Sequence, residues 1–118
     1  MKAEDFEAAC LSKPGTHKVV QWGGSHVYKV GPKVFALWSF GPGPADGGPV
    51  FKVGEIAFEM LLETGLGRRA PYFAKGWVRL ETGAALSDAD ITHYVGEAWA
   101  MVAASLPRKD RLALGLEA

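Results

Sequence analysis

The scarcities of this 118-residue chain exclude more than its abundances assert: one cysteine, three histidines and no net charge. A lone Cys10 closes no intrachain disulfide, and it forms no zinc-type spacing with the histidines. No apolar run reaches the roughly 18 residues of a membrane span, and Met1-Lys2-Ala3-Glu4-Asp5-Phe6 has no apolar leader core. These absences predict a soluble protein of a reducing cytoplasm with no membrane partner. The 13 basic groups are cancelled by 13 acidic ones, so the strong positive balance of a dedicated nucleic-acid domain is missing. A phosphate loop is missing too. The glycine-rich stretch 41–49 contains Pro42, Pro44 and Pro49, which have no backbone N–H to offer, and it lacks a Gly-Lys-Ser/Thr ending.

What remains is ordinary globular material. The chain is 48% hydrophobic and 22% charged, enough for one core and one domain over residues 1–118. Charge is uneven along it. Residues 1–12 carry one basic and three acidic groups, residues 13–79 nine and four, and residues 80–118 three and six. The middle is therefore basic and the ends acidic, a polarity suited to an anionic partner.

Hydrophobic spacing predicts a first helix over residues 3–11, with Phe6, Ala9 and Cys10 on one face, ended by Pro14-Gly15. On that inward face Cys10 reads as a small core residue. Strands follow: Val19, Val20 and Trp22, then a two-residue turn at Gly23-Gly24, then Val27–Val30. Gly31-Pro32 turns the chain into Lys33–Phe40, where Val34, Ala36, Trp38 and Phe40 should face one way and Phe35 and Leu37 the other. Residues 41–49 read as a projecting hairpin tip, and Val50–Val53 as a fourth strand. A helix runs from Gly54 to Thr64 and closes on Gly65. Residues 76–80 make the last strand. Ser87 and Asp90 form a capping box, with Leu86 and Ile91 as a hydrophobic staple. Ile91, Tyr94, Val95, Ala98, Trp99, Val102 and Leu106 then repeat at helical spacing until Pro107 ends the helix. Tight turns make the strands antiparallel neighbours, and one-striped helices must cover a sheet face. The expected architecture is an α+β two-layer sandwich, an antiparallel sheet with helices on one face.

Chemistry-bearing residues are thin on the ground. His93 has Glu97 one turn later, the spacing of a surface ion pair. Glu55, Glu59 and Glu63 string along one helix, and Glu4, Asp5 and Glu7 along another, whereas a hard cation needs oxygens converging on a point. The tryptophans read as packing rather than as base-stacking platforms. No catalytic residue, metal ligand or cofactor is expected. A catalytic reading would need His17 or His26 to meet a carboxylate beside Ser25 or Lys29.

The order of short motifs carries more. Leu11, Pro14-Gly15, Trp22-Gly23, Val30-Gly31-Pro32-Lys33-Val34-Phe35-Ala36, Phe51-Lys52, Ala70-Pro71-Tyr72-Phe73-Ala74-Lys75-Gly76-Trp77 and Leu106-Pro107 with Arg111 resemble the MmcQ/YjbR family across about residues 6–112. Pro32 stands where that family usually has glycine, and Ala98-Trp99 replaces a more typical Ser-Tyr. The resemblance implies a fold similar to the bacterial frataxin CyaY, and a role in binding double-stranded DNA through projecting hairpins, a double wing. On this chain the phosphate-contacting cations would be Lys13, Lys18, Lys29, Lys33, Lys52, Lys75 and Arg79, with the 41–49 loop as a wing. The second reading is a protein-interaction adaptor that presents Trp22, Trp38 or Phe40 on the uncovered sheet face. Frataxin-like metal binding is the third.

Overall fold

The computed structural model describes residues 1–40, 48–71, 73–81 and 85–116. The elements are α1 (Ala3–Leu11), β1 (Thr16–Gln21), β2 (Ser25–Val30), β3 (Lys33–Ser39), β4 (Gly48–Lys52), α2 (Glu55–Glu63), β5 (Gly67–Arg69), β6 (Trp77–Leu80), α3 (Asp88–Ser105) and α4 (Arg108–Ala113). The six strands form one sheet in the order β1-β2-β3-β4-β6-β5, every neighbouring pair antiparallel. The helices pack on it as the apolar stripes require, so the chain is an α+β two-layer sandwich.

Two elements were not anticipated. β5 is three residues long and has no alternating pattern to betray it. α4 follows Pro107, which serves as its N-cap residue as well as ending α3; proline suits a helix start because its missing N–H is not needed there.

The turns also differ from expectation. Gln21 pairs with Ser25, so the β1–β2 connection holds three residues, not two. Trp22 belongs to the turn and adopts a left-handed backbone, φ 53°, a conformation costly for a residue with a Cβ. β4 begins at Gly48 and includes Pro49, which the sequence assigned to the loop. Proline is tolerated there because β4 has only β3 beside it at that point; β6 joins from Val50 onward. The remainder of the expected 41–49 wing, residues 41–47, lies outside the described residues.

A bulge corrects the facing of β3. Tyr28 pairs with Ala36 but Lys29 pairs with Val34, leaving Phe35 as the extra residue. Two consecutive side chains, Phe35 and Ala36, therefore enter the core under the helices with Trp38, while Val34 and Leu37 point the other way. Strict alternation fails because a bulge shifts the two-residue phase by one.

The main core lies between sheet and helices. Phe6 and Cys10 of α1, Phe58 and Leu61 of α2, and Ile91, Val95, Ala98 and Val102 of α3 pack there on Tyr28, Phe35, Phe51 and Val78. α3 starts with the anticipated capping box, Asp90 N–H donating to Ser87 Oγ at 3.1 Å. The opposite face is not bare. Val27, Leu37, Val50 and Ala70 form a second cluster, closed over by Val34, Phe73 and Trp77. This corrects the adaptor surface: Trp38 is buried on the helix side, edge-on to Phe6 at 5.5 Å.

Candidate functional site

Directly opposed residues of an antiparallel pair share a face, so the register sorts the charged side chains of the sheet. One row runs across it as Val19, Val27, Leu37, Val50, Arg79 and Arg68. It begins apolar and ends in two guanidinium groups. The neighbouring row carries Lys29 opposite His17 and Val34, and Lys52 opposite Trp77. Lys29, Lys52, Arg68 and Arg79 thus lie on the face away from the helices. Lys75 meets Lys52 around a hollow of about 250 Å³ at the end of β4, lined also by Val53, Glu55, Phe58 and Gly76.

The other three expected cations are elsewhere. Lys18 faces α1 and reaches Glu7 Oε1 at 2.7 Å. Lys33 donates to Ser105 Oγ of α3 at 3.3 Å. Lys13 lies over α3, its Nζ 3.4 Å from where a Cβ on Gly96 would stand. The structure therefore gathers four of the seven residues and disperses three. Arg68 joins the four and was missed, because the strand that carries it has no sequence signature.

Aromatic rings border this basic face. Trp22, 55% exposed, stands edge-on to Phe73 at 5.8 Å, and Phe73 lies 4.9 Å from Trp77. Exposed Trp22 is held in its strained turn by that contact and by Ser25 Oγ donating to its carbonyl at 3.3 Å. The helix side is mixed: Glu55, Glu59 and Glu63 on α2, and Asp88, Asp90 and Glu97 on α3, are exposed, alongside Lys13, Lys18, Lys33 and the basic residues of α4.

Of the residues weighed for catalysis, His17 and Lys29 stand directly opposite each other in the β1–β2 ladder, and the others are apart. Ser25 and His26 are adjacent in β2 and point to opposite faces. His26 Nδ1 stands 4.0 Å from Glu7 Oε1, on the helix side, and its ring packs against Phe40 at 4.9 Å. His93 pairs with Glu97 at 3.7 Å along the surface of α3. Burial, and secondarily Glu7, pushes the Cys10 thiol far above its ordinary range, so its thiolate is scarce. Among the described residues, no three histidine, cysteine or carboxylate side chains converge on a metal position.

Glu7 is the polar anchor of α1. The Lys18 hydrogen bond, aided by the Tyr28 hydroxyl at 3.1 Å, holds its carboxyl below the ordinary 4.5 although partial burial opposes this. A depressed carboxyl value stabilises the fold above the unfolded-state value, and that contribution is lost as pH falls through the folded one. We expect Glu7→Gln to lower the urea midpoint at pH 7, by a gap that narrows as pH is taken down through the folded-state value. A gap that stays constant as pH falls would refute the linkage.

The geometry defines a class: a two-layer α+β protein whose sheet gathers cations on the face away from its helices. A YjbR family model matches residues 11–101, and the chain belongs to the YjbR family. The crystal structure of Deinococcus radiodurans protein DR2400, which carries the DUF419 domain, shares the fold. It matches with a TM-score of 0.82 at 16% identity, covering 97% of this chain and 88% of that one. No curated protein matches the chain. Among the described residues no helix is long and apolar enough to cross a membrane.

Proposed function

We propose that this chain is a non-enzymatic binding protein that takes the phosphate backbone of double-stranded DNA on the basic face of its sheet. The observation that carries this reading is the gathering of cations on one face. Lys29, Lys52, Arg68 and Arg79 share it through the register, with Lys75 beside Lys52, while the exposed carboxylates of α2 and α3 lie on the helix side. Lys29 and Lys52 are two strands apart, about 10 Å at the usual strand spacing, so the cations form a broad field rather than a point. Such a field suits a backbone contacted phosphate by phosphate, with little sequence preference.

Five phosphate contacts imply that affinity falls with salt at a logarithmic slope of about −4 to −5. The triple variant Lys29→Gln/Lys52→Gln/Lys75→Gln should flatten that slope by roughly 3. The pair Lys18→Gln/Lys33→Gln, on the helix side, should leave it unchanged. Fluorescence anisotropy of a labelled duplex between about 50 and 200 mM salt measures both. No binding at the low-salt end, where phosphate contacts are strongest, would end the proposal. Equal losses in the two variants would remove the sheet face from it. A protein partner is the second reading, favoured by exposed Trp22 on its strained turn; Trp22→Ala would then abolish partner capture while sparing the salt-dependent duplex contact.

A further inference from the structure

The two edges of the sheet are not alike. β5 closes one edge with three residues, two of them the exposed Arg68 and Arg69. Short length and charge are the usual guards against the addition of a further strand. β1, at the other edge, is six residues long, pairs with β2 in an unbroken register and contains no proline. Among the described residues no backbone group pairs with its outer side. Lys18 would be its guard, but the side chain is drawn back over its own sheet to Glu7 Oε1 at 2.7 Å. Val20, on the same side of β1 as Lys18, is 59% exposed. Leu11 is exposed too, one turn after Glu7 on the same flank of α1. An open backbone edge and open apolar side chains therefore lie together.

We propose that β1 pairs antiparallel with β1 of a second copy of this chain, joining two six-stranded sheets across a twofold axis. The order of residues in β1 selects its own copy as the occupant. Directly opposed residues share a face, so one residue of β1 must face itself across the axis. Lys18 in that place would set two like charges against each other. Val20 there would pair only residues 19–21 of the strand, whereas Val19 there pairs residues 17–21. With Val19 facing the partner's Val19, Lys18 lies across from the partner's Val20, and His17 from the partner's Gln21. Two β-branched side chains then meet on the axis, the stem of Lys18 covers the exposed valine, and no like charges are opposed. A six-residue strand is smaller than the about 20–30 residues a side of a standard interface, so the dimer is reversible. The axis of an antiparallel pair stands perpendicular to the sheet, so both helix layers fall on one side and both cation faces on the other. Lys29 and its copy are then three strand spacings apart, about 14 Å. The dimer enlarges the surface assigned to the duplex but does not rest on that assignment.

The test is sedimentation velocity of the full chain from about 10 µM to 1 mM, where the dimer fraction should rise with concentration. Val19→Lys places like charges on the axis and should weaken association at least tenfold, and Val19→Glu should do the same. Mixed one to one, these two variants should form a heterodimer, because opposite charges then face each other. Ile56→Lys, at an exposed position on α2, should leave association unchanged. Oxidation reports the register. Val19→Cys should cross-link to its copy, since the native Cys10 is buried and does not compete. Gln21→Cys, about 13 Å from its copy in this register, should not. Circular dichroism confirms that each variant is folded; if a charged variant is not, the two cysteine variants carry the comparison. A monomer at every concentration, or association indifferent to the charge at Val19, overturns the interface. So does a mixture of the two charged variants that stays monomeric, or cross-linking as fast at Gln21→Cys as at Val19→Cys. Duplex binding by a chain that stays monomeric ends this proposal and keeps the DNA reading. A dimer that binds no duplex does the reverse.

Discussion

Phe6→Ala is expected to destabilise the protein by about 3–5 kcal/mol, the usual range for emptying a buried phenylalanine site. Phe6 is fully buried and stands edge-on to two other rings, Tyr28 at 6.0 Å and Trp38 at 5.5 Å. Its ring is the main apolar contact by which α1 holds the sheet, Cys10 being much smaller. A domain of this size has a total stability of about 5–15 kcal/mol, so the loss takes a large share of it. Urea unfolding should show a lower midpoint at an unchanged slope. Leu11→Ala, on the same helix but 41% exposed, should shift stability by no more than about 0.5 kcal/mol. A Phe6→Ala loss as small as that would mean that α1 is not docked as described.

Gly67→Ala is the second large effect, and it acts by overpacking. A Cβ there would lie 2.6 Å from Val78 Cγ1 and 3.3 Å from the Arg79 carbonyl oxygen. Val78 is fully buried and β-branched, so it has no spare rotamer with which to yield. The expected cost is about 1–3 kcal/mol, taken up by displacing β5 from β6. Two backbone hydrogen bonds beside β5 report on that displacement: Glu81 N–H to Leu66 O at 3.0 Å, and Ala70 N–H to Trp77 O at 2.9 Å. Their amides should exchange faster in Gly67→Ala than in the parent. Gly54→Ala is the control, since a Cβ on Gly54 meets nothing within 4 Å. Unchanged exchange at Glu81 and Ala70 would show that the sheet absorbs the methyl group without opening.

These two positions mark where the sequence was readable. Phe6 announced itself through its spacing with Ala9 and Cys10, and the α3 stripe through its capping box and helical repeat. Both are local signals, written in residues within a turn or two of each other. Gly67 carried no such signal. A three-residue strand is too short for alternation, and its place at the sheet edge is set by β6, which begins eight residues after β5 ends. The same holds for Phe35. A bulge is a property of two paired strands, so the β3 sequence alone could not say that Phe35 and Ala36 would face the same core.

The charged residues divide in the same way. Residue order alone was enough to show that the middle of the chain is basic, that the strands are antiparallel neighbours covered by one-striped helices, and that an α+β fold results; composition, turn chemistry and hydrophobic period suffice for that. It grouped seven cations because they are near one another along the chain. Only the tertiary structure decided which share a surface, since cross-strand register, the bulge and the unannounced β5 set the face of each side chain. Register turned Lys18 toward Glu7 and Lys33 toward Ser105, and it placed Arg79 opposite Arg68. The physical reason is the two-residue period of the strand: a shift of one position moves a side chain to the other side of the sheet, and that shift is fixed by partners distant in sequence.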